Sequence, residues 1–274
     1  MPSLTALRVF HQRRIAVPVT DDALVLDVGS GDKPSWRADV LLDRYAGAEH
    51  AAQRSGRAAA RVSRPLFDAD AADMPFRDDA FDYAICSHVL EHVWDPAAVA
   101  AELSRVARAG YIEVPEAASA KIVDFPSHVW WCRLEDESGG PTLVLTAKEA
   151  PYFDPEINAY IERAGVRDDL DSVLNRHFEH RVIQYHWSGT VRLRVEGRLD
   201  EDFFAAAMSA PGHQRGWEAT ASRALTAGLT WRTRRRRRHV EIPMSRIVKQ
   251  EYGVADQVLE RRIYRLGDPA GAGQ

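Results

Sequence analysis

Short apolar runs alternate with helix-spaced apolar positions through the first two-thirds of the chain, and no internal repeat interrupts them. That alternation predicts strands and helices taken in turn, the pattern of a doubly wound, mostly parallel α/β sheet. Leu24 to Val28 is a short apolar run that ends in Gly29-Ser30-Gly31, as a strand buried on both faces ends before a turn. Val40 to Leu42 ending at Asp43, Ala80 to Cys86, and Tyr111 to Val114 predict further strands, each closing at a polar or turn residue. The carboxyl ends of such strands are where a sheet of this kind holds its ligands.

The best-marked helix begins at Asp95-Pro96, an N-cap acceptor followed by a proline whose missing N–H costs nothing there. Val99, Leu103 and Val106 share one face, Arg105 and Arg108 fall in the predicted last turn, and Gly110 stands where a left-handed C-terminal residue is expected. Between 116 and 147 the pattern changes to His128-Val-Trp-Trp-Cys-Arg-Leu, a Gly139-Gly140-Pro141 turn and Thr142 to Thr146, which predicts an inserted hairpin able to act as a lid. Asp154-Pro155 opens another helix through Ala164, while His180 to Trp187 and Thr190 to Val195, split by Ser188-Gly189, are expected to pair antiparallel and finish the sheet. The reading divides the chain into an extension (1–20), a core (21–197) and a mainly helical C-terminal accessory region (198–274) ending in a loose GDPAGAGQ.

The strand that delivers Asp27-Val-Gly29-Ser-Gly31 into a tight turn allows the backbone to approach a ligand that side chains would obstruct. Pro34 stands where the dinucleotide-binding fingerprint has a third glycine, so this is not that motif. Asp43 ends the next strand, placed to accept hydrogen bonds from two ribose hydroxyls.

With Asp70-Ala-Ala-Asp73-Met-Pro-Phe76, Phe81-Asp82, Ser87-His88-Val-Leu-Glu91-His92, Glu102-Leu-Ser-Arg105-Val and Tyr111 to Pro115, the chain resembles the class I S-adenosylmethionine-dependent methyltransferases. The phrases cover roughly the first half of the chain in the family's order. The resemblance implies a Rossmann-like, doubly wound, mostly parallel seven-stranded sheet with S-adenosylmethionine as cofactor. It implies that Asp27, Gly29, Ser30 and Gly31 line the methionine part, that Asp43 meets the ribose, and that Asp70 with the Ala71 backbone meets the adenine. Ser87 and His88 are then expected to face the sulfonium and the acceptor. Only about a dozen residues separate Gly31 from Asp43, so the first helix is expected to be short or absent. Related spacing in methyltransferases of polysaccharide and sugar modification implies a small-molecule or sugar-linked acceptor, methylated by in-line displacement. If that acceptor is a hydroxyl, His88 and His128 are the candidate bases.

A formal net charge of −4 and a pI near 6.2 argue against nucleic acid or an anionic membrane as partner. The Arg234 to Arg238 run, without interleaved aromatics, is expected to be a solvated face. Cys86 and Cys132 suit reduced thiols in a reducing cytosol, and the N-terminal segment lacks the apolar region of a secretion signal. His88-Val-Leu-Glu91-His92 also matches H-x-x-E-H, a zinc-protease pattern that needs both histidines on one helical face. Because His88 directly follows a strand, no metal ligands are assigned. Trp130 and Trp131 are adjacent strand residues, so at least one belongs to the core. The rival reading is a module that keeps the cofactor fold for interaction without catalysis.

Overall fold

In the computed structural model, which describes residues 17–47, 60–209 and 241–267, the strands are β1 (Val25–Val28), β2 (Val40–Leu42), β3 (Leu66–Phe67), β4 (Tyr83–Ser87), β5 (Ala109–Pro115), β6 (Trp130–Glu137), β7 (Gly140–Ala147), β8 (Val182–Ser188), β9 (Leu193–Glu196) and β10 (Ile263–Tyr264). Seven of them form one sheet in the order β10-β3-β2-β1-β4-β5-β8, parallel throughout except for β8. The chain runs from β1 outward through β2 to β3, then resumes at β4 on the other side of β1. That reversal makes β1 and β4 the switch point, outside whose carboxyl ends ligands bind in open α/β sheets. Every residue of β1 and β2 is buried, as expected of strands covered on both faces. No helix forms between them, in agreement with the short Gly31 to Asp43 connection.

One face of the sheet packs against α1 (Pro96–Val106), whose Val99, Leu103 and Val106 are fully buried. Asp95 caps it by accepting the Ala98 amide at 2.9 Å, and Pro96 occupies its first turn. Gly110 corrects the reading of the helix end: α1 stops at Val106, Arg108 lies beyond it, and Gly110 sits within β5. A Cβ at Gly110 would come within 2.5 Å of the Ala84 carbonyl oxygen and 2.6 Å of the Trp187 ring, so close packing between strands is its reason.

The inserted hairpin forms as expected, β6 pairing antiparallel with β7 from Trp130↔Ala147 to Glu137↔Gly140. The pairing expected between the two strands after His180 does not form. β8 pairs with β5, whereas β9 joins β7 in parallel, making a separate three-stranded sheet. Left-handed Gly189 (φ 72°) turns the chain out of the main sheet, and the Ser104 hydroxyl of α1 accepts the Val191 amide at 2.9 Å to guide the crossing.

The C-terminal region contributes helices, α2 (Glu201–Ser209) and α3 (Met244–Ile247) among them, and also the edge strand β10 beside β3. Ile242, Met244, Ile247 and Val248 are buried in the main core, and the Arg77 and Lys249 amides bond the Ile247 and Pro75 carbonyls. An aromatic series continues the packing: Phe67 meets Phe76 edge-on at 5.0 Å, Phe76 meets Phe81 likewise, and Tyr264 stacks on Phe67. The two cysteines are buried and unbridged. Among the described residues no helix is long and apolar enough to cross a membrane. Residues 1–16 of the N-terminal extension, the Arg234 to Arg238 run and the tail beyond Gly267 lie outside the described residues.

Candidate active site

The turn after β1 is built from backbone that only glycine adopts cheaply. Gly29 (φ 67°) and Gly31 (φ 50°) are both left-handed, and a Cβ at Gly29 would lie 2.2 Å from Val89 Cγ2. The Gly29 amide donates to the Leu42 carbonyl at 2.8 Å, pinning the turn to the end of β2. Just beyond, buried Asp43 accepts the Gly31 amide on Oδ2 at 2.7 Å and the Tyr45 amide on Oδ1 at 2.8 Å. Asp27, also buried, accepts the Ser35 amide at 2.7 Å. Burial pushes its pKa up to about 7, with the Ser35 N–H opposing the rise and the Asp43 charge adding to it. The Ser30 hydroxyl is buried with no partner among the described residues.

The third carboxylate sits next to these. The Asp43 amide donates to the Phe67 carbonyl at 3.0 Å, joining the tips of β2 and β3. Asp70, shortly after, accepts the Ala72 amide on Oδ1 at 2.9 Å and pairs through Oδ2 with Arg44. Ala71 beside it is buried. Asp27, Asp43 and Asp70 therefore come together at three neighbouring strand ends.

Two residues of the Glu102-Leu-Ser-Arg105 phrase hold the loop that follows Asp70. Glu102 accepts the Met74 amide at 2.6 Å, while Arg105 donates to the Met74 carbonyl at 3.1 Å, the Phe76 carbonyl at 2.6 Å and Glu102 at 2.6 Å. Met74 and Phe76 are fully buried beneath that loop, so they pack rather than bind.

At the end of β4 the chain takes an unusual step. His88 is left-handed (φ 57°), uncommon for a residue with a Cβ, and both ring nitrogens meet carboxylates: Nδ1 lies 2.9 Å from Glu91 Oε1 and Nε2 lies 3.3 Å from Glu113 Oε1. Burial pulls its pKa down, but the hydrogen bonds to Glu113 and Glu91 prevail and push it up to about 10. Glu113 collects further donors, the Ser87 hydroxyl at 3.1 Å, Gln184 at 3.4 Å and the Tyr111 hydroxyl in a short contact. Its carboxyl is held below the usual range because the His88 hydrogen bond and charge overcome the upward effect of burial. Glu113 is not singled out by sequence reasoning, although a lone carboxylate within the buried run of β5 is a signal of function, and Glu91 enters it only as a member of the Ser87 to His92 phrase and the H-x-x-E-H pattern.

His128 lies at the base of the hairpin, its ring edge-on to His92 with centroids 4.8 Å apart. Burial holds its pKa well below the usual histidine value, and its Nδ1 has no partner among the described residues. His92 Nδ1 donates to the Ser127 carbonyl at 2.7 Å. The two histidines of the H-x-x-E-H phrase do not form a joint ligand set, because both His88 nitrogens are taken by Glu91 and Glu113. Trp130 is core, its Nε1 donating to the Val93 carbonyl at 2.8 Å, whereas Trp131 lies 4.2 Å from the Lys148 ammonium. A cleft of about 530 Å³, lined by Glu116, Glu179, His180, Val182, Ile183 and Gln184, reaches the Glu113 network through Gln184.

Residues 26–112, from β1 into β5, match the family described as Methyltransferase domain. No curated protein matches the chain. Solved structures similar to it include a SAM-dependent methyltransferase from Thermotoga maritima, 16% identical over 40% of this chain and 51% of that one, TM-score 0.31. The chain thus spans about half the length of that protein. A chain of the complex between the Haloferax volcanii Trm112 methyltransferase activator and its methyltransferase is 14% identical over 68% and 89%, TM-score 0.40. The YcgJ protein from Bacillus subtilis is 16% identical over 64% and 84%, TM-score 0.32.

Proposed function

We propose, from the match of residues 26–112 to the family described as Methyltransferase domain, that the protein is a class I S-adenosylmethionine-dependent enzyme that transfers a methyl group to a small-molecule acceptor, sugar-linked in the reading that the short Gly31 to Asp43 connection favours. One observation carries the proposal. The Asp43 carboxylate is oriented by the Gly31 and Tyr45 amides at the mouth of a left-handed glycine turn, and its remaining lone pairs suit two vicinal hydroxyls.

The residues present fit the cofactor. The left-handed Gly29 and Gly31 keep the turn free of side chains, and the buried Ser30 hydroxyl finds in the methionine part the partner it lacks among the described residues. Asp27 stands behind that part, Asp70 and the Ala71 backbone take the adenine amino group, and Ser87 with His88 line the acceptor side. When bound, S-adenosylmethionine supplies an electrophilic methyl group on a sulfonium. The chain's own contribution is positioning and exclusion of water, which can account for most of the acceleration of an in-line transfer.

His88 enters this scheme as a donor. Both of its nitrogens face carboxylate oxygens, so both carry protons, and neither has a lone pair with which to take one from the acceptor. It orients the β4 loop and presents positive charge. The buried Nδ1 of His128 has no hydrogen-bond partner among the described residues. The cleft beyond Gln184, walled by Glu116, Glu179 and His180, suits a hydroxylated acceptor.

Calorimetry with S-adenosylmethionine and S-adenosylhomocysteine, followed by mass-spectrometric detection of methyl transfer to nucleotide sugars and to other small acceptors, tests the reading. Binding of both compounds with a methylated sugar product is expected. Absence of binding leaves a non-catalytic module, and activity confined to non-sugar acceptors removes the sugar assignment.

A further inference from the structure

Glu91 is wholly buried, and although Oε1 bonds His88, Oε2 has no hydrogen-bond partner among the described residues. A buried carboxylate oxygen left unpaired is costly, which points to an occupant from outside the chain. The buried, unpartnered Nδ1 of His128 poses the same question. His92 stands with them. Its Nδ1–H is committed to the Ser127 carbonyl at 2.7 Å, which fixes the tautomer and leaves Nε2 with its lone pair, the outer hydrogen bond that metal-bound histidines make. One ligand atom from each of Glu91, His92 and His128 lies within 4.8 Å of the other two, and His92 Nε2 is 4.0 Å from Glu91 Oε1.

We propose that Glu91, His92 and His128 bind a divalent transition-metal ion, of which zinc best matches two imidazoles and a carboxylate with a fourth position open to solvent or ligand. A tetrahedral site with bonds of about 2.0–2.1 Å sets its ligand atoms about 3.4 Å apart, so the three side chains draw in by roughly an ångström on binding. The Lys148 ammonium is no substitute, because it is committed to Asp124 at 2.7 Å. The ion ties the loop after β4 to the start of β6, two segments already joined where the Val129 amide donates to the Glu91 carbonyl at 2.8 Å. The ligand set differs from the H-x-x-E-H pattern of the sequence: His128, from the hairpin base, takes the place of His88. The inference stands apart from the cofactor cradle and holds whether or not methyl transfer occurs.

Untagged full-length protein, stripped with chelator, is titrated with Zn²⁺ by calorimetry and with Co²⁺ by absorption spectroscopy. One equivalent of zinc and the intense d–d bands of low-coordinate cobalt are expected. His128→Ala and His92→Ala should each weaken Zn²⁺ binding by more than about 100-fold, whereas His88→Gln, altering only an outer hydrogen bond, should cost about 10–100-fold at most. Substoichiometric binding in the wild type overturns the site and leaves ordered water there. Loss on His88→Gln with retention on His128→Ala overturns the ligand set. X-ray absorption on wild-type zinc protein needs no variant to fold: imidazole scattering is expected, and sulfur scattering overturns the assignment.

Discussion

The Asp43 carboxylate accepts the Gly31 amide at 2.7 Å, so the glycine turn after β1 and the tip of β2 form one unit. The other oxygen accepts the Tyr45 amide, leaving no face of the carboxylate free to rotate. Asp43→Asn keeps the shape, removes the charge and turns an NH₂ toward one of two backbone N–H groups. Losing a buried charge-assisted bond in this way costs about 1–3 kcal/mol. Calorimetry is expected to show at least a tenfold loss of S-adenosylmethionine affinity, matching about 1.4 kcal/mol or more. An unchanged affinity takes Asp43 out of the site.

Asp27 predicts an unusual dependence of stability on pH. Its folded pKa of about 7 lies above the unfolded value near 4, so between those limits the folded chain holds a proton that the unfolded chain has released. Stability from this group is therefore greatest at low pH, declines as pH rises from about 4 to about 7, and is level above. Asn at this position keeps an acceptor for the Ser35 amide but does not titrate. Urea midpoints of wild type and Asp27→Asn, measured without cofactor at pH 5 and pH 8, should diverge in favour of the variant at the higher pH. Parallel behaviour at both values would contradict the elevated pKa.

Two glycines separate a removable clash from an irremovable one. Gly29→Ala strains a left-handed residue, by about 1–2 kcal/mol on general grounds, and also collides with a side chain, Val89. Gly110→Ala meets the Ala84 backbone oxygen, which cannot rotate away. Chemical denaturation should therefore show Gly29→Ala partly rescued by Val89→Ala, while Gly110→Ala stays severely destabilised when Trp187 is trimmed to Phe. Full recovery of the second pair would show that Trp187, not the strand backbone, sets the constraint.

These contrasts also show what could be read from residues alone. β1, β2, β4 and β5 were legible because strands buried on both faces are apolar runs stopped by turn residues, and α1 because Asp95-Pro96 is an unambiguous start. Gly110 misled because glycine marks a helix end and a close strand contact in the same way. The partners of β8 and β9 were hidden because alternation along a strand says which face is buried, not which neighbour it pairs with. β10 is two residues long and has no period to detect. Within the candidate site, Asp27 and Asp43 announced themselves by their places at the ends of apolar runs, whereas Asp70 was marked only by the resemblance of the Asp70 to Phe76 phrase, because β3 is two residues long and left no apolar run to read. The Glu91–His88–Glu113 chain did not announce itself, since it depends on the left-handed His88 backbone and on a carboxylate from a neighbouring strand.

The buried ion pair beneath the hairpin offers a last test, independent of any ligand. Lys148 and Asp124 are almost without exposed side-chain surface, 0% and 3%, and meet at 2.7 Å, with the Pro151 carbonyl as a second acceptor for the ammonium at 3.2 Å. Burial lowers the Lys148 pKa and raises that of Asp124, while each charge works to keep the other ionised. Removing one partner strands the other, at a cost of about 3–5 kcal/mol, whereas replacing both with neutral groups of similar size costs much less. Lys148→Met alone should thus destabilise strongly, and adding Asp124→Asn should restore a large part of the loss, because the Phe125 amide that Asp124 now accepts can still be satisfied by an amide oxygen. A double-mutant cycle in urea measures the coupling directly. If the two losses simply add, the pair contributes nothing through its charges, and the hairpin base is held by its apolar contacts alone.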